Sequence, residues 1–229
     1  MIAIISDIHG NLSALEAVLN EIDKLACRQI IFLGDIAGYY VQPGECIDLL
    51  NERDVIHLLG NHDQYIIEGM DCPRSRVVSQ LIDYQRNLFS KKQLSWLKRS
   101  RKKYQIGNKL FVHGGAIDPV DEYIYEIGID QFPIGVKFFF SGHTHVQIVA
   151  KFRNKIYCNP GSVGQPRDGD HRAAFAVLEN ENIYLHRVTY DIGRTVIQMK
   201  NAGFESKFWE NLYKGTQIGG RVDSISIKY

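Results

Sequence analysis

Nine residues able to bind a metal or move a proton lie in five short motifs. The motifs are Asp7-Ile8-His9, Gly34-Asp35, Gly60-Asn61-His62-Asp63, His113-Gly114 and Gly142-His143-Thr144-His145. Carboxylate, amide and imidazole donors without a thiolate form a mixed nitrogen and oxygen set. Such a set suits Mn²⁺, Fe or Zn²⁺ better than soft-metal chemistry. Asp7 and His9 are two apart, as are His143 and His145, so each pair can turn toward one ion where the chain leaves regular structure. A single Asp-x-His or His-x-His is weak evidence. Five of the chain's 8 histidines in such motifs point to ligands for two metal ions.

Each motif directly follows an apolar run of strand length: residues 2–5, 30–33, 55–59, 110–112 and 138–140. In an α/β sheet the carboxyl ends of the strands share one edge, where ligands bind. After Asn11, a residue suited to an N-cap, Leu12, Leu15, Val18, Leu19, Ile22 and Leu25 keep helical spacing. Residues 43–53 repeat that pattern, with Pro43 in the first turn. This alternation predicts a parallel sheet in the first half. Residues 64–103 read as mostly helical, broken near Pro73, and their Lys and Arg residues read as a solvated face. From Tyr104 the pattern predicts strands around 104–106, 109–112, 136–141, 146–152, 155–158, 173–178 and 183–190. Asp191 then caps a helix to about Lys200, and residues 204–213 form a short amphipathic segment. Residues 215–229 are either a flexible tail or an arm that pairs with another element.

The 229 residues suffice for one well-buried domain, and residues 1–229 are read as one. A net charge of +1 offers no field for nucleic acid or an anionic membrane, so neither is indicated as a partner. The choice between monomer and homo-oligomer stays open. Cys27, Cys46, Cys72 and Cys158 form no CxxC pair and read as free thiols. No signal-like leader and no apolar run near 20 residues is present, and the expected location is cytoplasmic. His57 lies within an apolar strand and His186 within a late strand, and both read as structural, whereas His171 sits in a polar turn after Arg167-Asp168-Gly169-Asp170.

The order D-x-H, GD, GNHD, H and GHTH resembles the calcineurin-like metallophosphoesterases. Residues 159–167, Asn-Pro-Gly-Ser-Val-Gly-Gln-Pro-Arg, are similar to the small bacterial and archaeal phosphodiesterase branch. The resemblance implies an α/β fold, a four-layer α/β/β/α sandwich of two packed mixed sheets flanked by helices. It implies that Asp7, His9, Asp35 and His145 hold one divalent ion, with Mn²⁺ the leading candidate and Fe, Zn²⁺, Co²⁺ or Ni²⁺ as alternatives. Asp35, Asn61, His113 and His143 would hold the second, with Asp35 bridging. Two cations about 3.5–4 Å apart can activate a shared water for attack on phosphorus. His62 would remain unligated and protonate the leaving-group oxygen or stabilise its charge, and Asp63 would orient it.

The implied activity is hydrolysis of a small phosphoester, a diester before a monoester, with a nucleotide as one substrate class. Diadenosine tetraphosphate hydrolysis is the specific alternative, and a non-catalytic scaffold on the same fold is the alternative of another class. Serine-threonine phosphatases of this superfamily carry an arginine soon after the second aspartate. Gly38-Tyr39-Tyr40 stands there instead, which argues against phosphoprotein hydrolysis. Arg167, Tyr39 and Tyr40 are candidate walls of a substrate pocket, as is the loop from 118 to 133 with Tyr123 and Tyr125.

Overall fold

The computed structural model describes residues 1–228. The first half runs β1 (Ile2–Ile5), α1 (Leu12–Lys24), β2 (Gln29–Phe32), α2 (Pro43–Asn51) and β3 (Val55–His57). The helices α3 (Asn61–Glu68), α4 (Arg76–Arg86) and α5 (Lys91–Leu97) follow. The second half is mainly strand: β4 (Lys103–Ile106), β5 (Lys109–Val112), β6 (Glu126–Gly128), β7 (Phe138–Phe140), β8 (Gln147–Phe152), β9 (Lys155–Pro160), β10 (Ala173–Glu179) and β11 (Asn182–Val188). Helix α6 (Ile192–Asn201), two short 3-10 turns and β12 (Ser226–Lys228) complete it.

The strands form two five-stranded mixed sheets, ordered β11-β10-β1-β2-β3 and β4-β5-β7-β9-β8. As the alternation predicts, β1, β2 and β3 are parallel. Strands β5, β7 and β9 are parallel as well, while antiparallel strands complete both sheets. The period-two direction of strand side chains makes both faces apolar. Ile4, Ile31 and Leu33 of the first sheet meet Phe111, Phe138, Phe140 and Cys158 of the second in one buried layer. Ala3, Ile5 and Phe32 point the opposite way, into a core that takes buried residues from all six helices.

Four of these helices start where capping side chains direct them. Asn11 accepts from the Ala14 N–H, Ser75 from Val78, Ser90 from Gln93 and Asp191 from Arg194. The outer face of the second sheet has a different cover. There Phe139, Val112 and Phe152 pack with Ile124, Ile127, Phe132 and Val136 from the segment after β5, and with Ile225. That segment contains β6, which the sequence pattern does not predict. Ser226–Lys228 pairs with β6 in parallel as β12, so this part of the C-terminal segment is an arm.

His57 stacks on Trp96, with ring centroids 3.9 Å apart, and its Nδ1 is 2.9 Å from Ser100 Oγ. His186 stacks on Phe175, and His171 is exposed. The four cysteines are free. No helix among the described residues is long and apolar enough to cross a membrane.

Candidate metal centre

The parallel strands β1, β2 and β3 of one sheet and β5 and β7 of the other deliver their carboxyl ends to one place. The chain leaving β1 is tied to that leaving β2, because Asp7 and Ile8 donate N–H groups to Gly34 and Asp35. Across the sheets, the His143 N–H donates to Asp7 Oδ2 at 3.1 Å. Asp7, His9, Asp35, Asn61, His113, His143 and His145 are all buried there. Among the described residues, nine other than glycine have positive φ, and five are candidate ligands: Asp7, His9, Asp35, His143 and His145. Left-handed backbone disfavours side chains bearing Cβ, and such strain concentrates where function requires the geometry.

The ring nitrogens show what belongs between them. His9 Nδ1 is 2.6 Å from Ala37 O, and His145 Nδ1 is 2.6 Å from Gln165 O. Each Nδ1–H therefore donates to a carbonyl, which leaves an unprotonated Nε2 on each ring. Those two Nε2 atoms face each other at 3.1 Å, and Asp7 Oδ1 lies 3.1 Å from that of His145. Asp7 Oδ1 has no hydrogen-bond partner. Two lone pairs and a carboxylate oxygen pointed together repel unless a cation lies among them. These residues fit a divalent metal.

A second group adjoins the first. His113 Nε2 lies 3.1 Å from His143 Nδ1, 3.2 Å from Asn61 Oδ1 and 3.4 Å from Asp35 Oδ2. The Asn61 amide donates to Tyr65 OH, which turns its oxygen inward. Asp35 Oδ2 also faces His9 Nε2 at 3.8 Å and His62 Nε2 at 3.9 Å. Asp35 thus lies between the groups and belongs to two of the three compact donor sets. Burial works against its charge, yet His113 and His62 hold its carboxyl below the usual carboxylate range. Burial likewise disfavours a charged His113, but the Asp35 carboxylate beside it raises that imidazole to about 9. The cluster draws in positive charge.

The expectation that Asp63 orients His62 finds no hydrogen bond behind it among the described residues, and His62 Nδ1 has no partner. The Asp63 carboxylate accepts N–H groups from Asp35 at 2.8 Å, Ile36 at 2.9 Å, Ala37 at 3.0 Å and Gly60 at 3.3 Å. It therefore shapes the loop after β2 that carries Asp35. Gly60 is required beside it, since a Cβ there would come within 2.0 Å of Asp35 Oδ1. Gly38, at φ 135°, leaves room for His9 and His62, whose Nδ1 atoms a Cβ would approach to 2.3 and 2.8 Å. Gln85 from α4 holds the same loop, accepting from the Gly38 N–H and donating to the Gly38 and Tyr40 carbonyls.

His62 borders a cavity of about 420 Å³ also lined by Tyr39, Arg74, Tyr123, Tyr125 and Arg167. Burial pushes its imidazole down to about 3, against the pull of Asp35. Arg167 is 5% exposed and spends its hydrogen bonds on Gln165 Oε1 and on Tyr39 OH at 2.8 Å. Tyr39 meets His9 edge-on at 4.7 Å, lies tilted against His62 and sits beneath Arg167. Little of its face is free for a base. Tyr40 is no wall at all: it is fully buried in the helical core.

Sequence reasoning missed Asp121, Arg74, Gln85 and Arg221. Asp121 Oδ1 lies 3.4 Å from His143 Nε2, and its carboxylate takes both terminal nitrogens of Arg74. The signal of Asp121, Arg74 and Arg221 in the chain is charge within loops, and Gln85 is an uncharged polar position of α4.

The family model of the calcineurin-like phosphoesterase superfamily domain matches residues 1–182. An uncharacterised protein of Methanocaldococcus jannaschii is 31% identical, over 94% of this chain and 98% of its own length. A metallophosphoesterase from Sphaerobacter thermophilus has a TM-score of 0.82 at 32% identity, over 93% of this chain and 98% of that one. A hypothetical protein from Pyrococcus horikoshii OT3 has a TM-score of 0.79 at 22% identity, over 94% and 99%. The matched span contains every residue whose lone pairs converge at the sheet edge, and this chain belongs to the calcineurin-like phosphoesterase superfamily.

Proposed function

We propose that this chain is a binuclear metal-dependent phosphoesterase that hydrolyses a small phosphodiester, with phosphomonoesters as its second substrate class. The observation that carries this reading is the facing pair His9 Nε2 and His145 Nε2, with Asp35 between that pair and the His113 group. Asp7, His9, Asp35 and His145 would hold one ion and Asp35, Asn61, His113 and His143 the other, Mn²⁺ before Fe, Zn²⁺, Co²⁺ or Ni²⁺. When bound, such ions supply Lewis acidity toward phosphoryl oxygens and a nucleophilic water at neutral pH.

The chain's own groups do the rest. His62 presents Nε2 toward the cluster, because its Nδ1 faces Gly38. In this reading the neutral imidazole gives a hydrogen bond from its Nε2–H to the leaving-group oxygen and stabilises the charge that develops there as the phosphorus–oxygen bond breaks. Arg167, a buried cation without a carboxylate partner among the described residues, neutralises a phosphoryl oxygen, and the Tyr39 hydroxyl fixes the direction of its guanidinium. A cytoplasmic location belongs to this reading and is supported by the four free thiols.

Assay of bis(p-nitrophenyl) phosphate with each of the five metals tests the proposal. Turnover with Mn²⁺ supports it. No turnover with any of them, on protein shown to bind metal, returns the chain to a scaffold role.

A further inference from the structure

Beside Arg167, the cavity wall carries side chains that hydrolysis of one phosphoester does not use. Three arginines, Arg74, Arg167 and Arg221, line the cavity, and among the described residues no carboxylate does. Arg221 comes from the C-terminal segment, outside the span matched to the superfamily. That segment is a strap between two parts of the wall. At one end Gly215 O accepts from Gly169 N–H, and Asp223 N–H donates to Arg167 O at 2.7 Å. At the other, Ser226 N–H donates to Tyr125 O at 3.0 Å, and Ile225 enters the core behind the second sheet.

The strap is built to aim Arg221. Residues 217–221 close a turn, in which Gln217 N–H donates to Arg221 O and Gly220 N–H donates to Gln217 O. The buried Asp223 carboxylate clamps it, accepting from Gln217 Nε2 at 2.6 Å and Arg221 Nε at 2.9 Å. Opposite stands a stack that begins at a candidate ligand. The Tyr123 ring lies 3.6 Å from that of His143, and Tyr125 is parallel to Tyr123 at 5.5 Å. Arg74 sits over Tyr123 at 5.3 Å. Guanidinium groups match phosphate oxygens in shape and charge. Arg167 is buried, whereas the Arg74 and Arg221 side chains are 44% and 66% exposed beside Asp121 and Asp223, so the wall presents guanidinium groups to a ligand that enters the cavity beyond the phosphate held at the metals.

We propose that the strap and the Tyr123–Tyr125 stack form a second subsite, which binds an additional phosphate carried by the substrate, with Arg221 as its anchoring cation. The inference rests on the phosphoesterase reading and deepens it: the preferred substrate is a phosphoester bearing a second phosphate, and the stack supports the aromatic or sugar portion between them.

Two esters with the same leaving group separate the terms: the p-nitrophenyl ester of thymidine 5′-monophosphate, and the same ester with a 3′-phosphate. The wild-type chain should prefer the 3′-phosphorylated ester in kcat/KM by about tenfold or more, the size expected of charge-assisted hydrogen bonds. In Arg221→Ala that preference should fall toward unity, mainly through KM, and Arg221→Lys should keep part of it. The Arg221 side chain is 66% exposed, so both variants should fold, which circular dichroism checks. Calorimetric titration of metal-free protein with thymidine 3′,5′-bisphosphate and thymidine 5′-monophosphate reads the subsite without turnover. The bisphosphate should bind more tightly, and Arg221→Ala should erase the difference. Equal kcat/KM for the two esters, or a preference that survives Arg221→Ala, overturns the second subsite and leaves the phosphoesterase reading standing. Failure of both esters with every metal, beside an intact binding difference, overturns the phosphoesterase reading instead.

Discussion

The Asp63 carboxylate accepts the backbone N–H of Asp35 at 2.8 Å, so the residue between the two donor groups is held by its backbone rather than by its charge. Three further N–H groups end on the same carboxylate. Asp63→Asn keeps the volume but turns a donating amide toward some of those N–H groups. We expect a loss of about 2–3 kcal/mol in urea melts, from unsatisfied buried donors, together with weaker metal binding. Unchanged melts would show that the loop is held elsewhere.

Asp35→Ala should remove or scramble both metal ions, because Asp35 is common to the sets around His9 and His113. Metal analysis of the purified variant decides the matter. Two equivalents retained would count against the shared ligand.

His62→Ala should retain metal and slow turnover on the order of 10²–10³-fold, the range for one lost hydrogen-bond donor to a developing oxyanion. An ester with a leaving group of low pKa needs less stabilisation of its departing oxygen, so it should recover part of the rate. Equal slowing across leaving groups would assign His62 another task.

Asp121 Oδ1, 3.4 Å from His143 Nε2, is placed to orient that ring through the nitrogen opposite the cluster. Arg74 holds the carboxylate with two hydrogen bonds. Asp121→Asn should weaken metal affinity by about 10–100-fold, as partners of ligating imidazoles typically do. Competition with a chelator measures this, and an unaltered affinity would reduce Asp121 to an ion pair with Arg74.

Acid should act through a group remote from the metals. Burial against Trp96, with Arg99 and Arg101 nearby, lowers His57 to about 4 from an ordinary 6.5. The folded state therefore resists protonating it. Its contribution to stability is complete above pH 6.5 and is lost as pH falls toward 4. Because the ring is only partly buried, we expect on the order of 1–2 kcal/mol, discounted for solvent screening. Urea melts of wild type and His57→Phe at pH 7 and 4.5, followed by tryptophan fluorescence, should show the smaller acid loss in the variant. Equal losses would clear His57.

The candidate ligands were legible because parallel strands end in a common place, and an apolar run followed by Asp, Asn or His marks each end. The wall was not. Asp121 meets His143 through the path of a loop, for which no periodicity exists. Gln85 occupies a polar position of an amphipathic helix and reads like its solvated neighbours, yet it is 1% exposed. Tyr40 follows Tyr39 in the chain, and only the course of the backbone sends one to the cavity and the other to the core. Strand β6 is Glu-Ile-Gly, a single large apolar residue between a charge and a glycine, whereas β3 and β7, equally short, lie in apolar runs.

The left-handed backbone at His9, His143 and His145 sets durability against use. Strain of about 1–3 kcal/mol at each position would be relieved by glycine, the one residue at ease there. A selection for heat resistance in the metal-free protein would thus favour erasing its ligands one by one. Histidine can persist at these three places only under a demand other than folding.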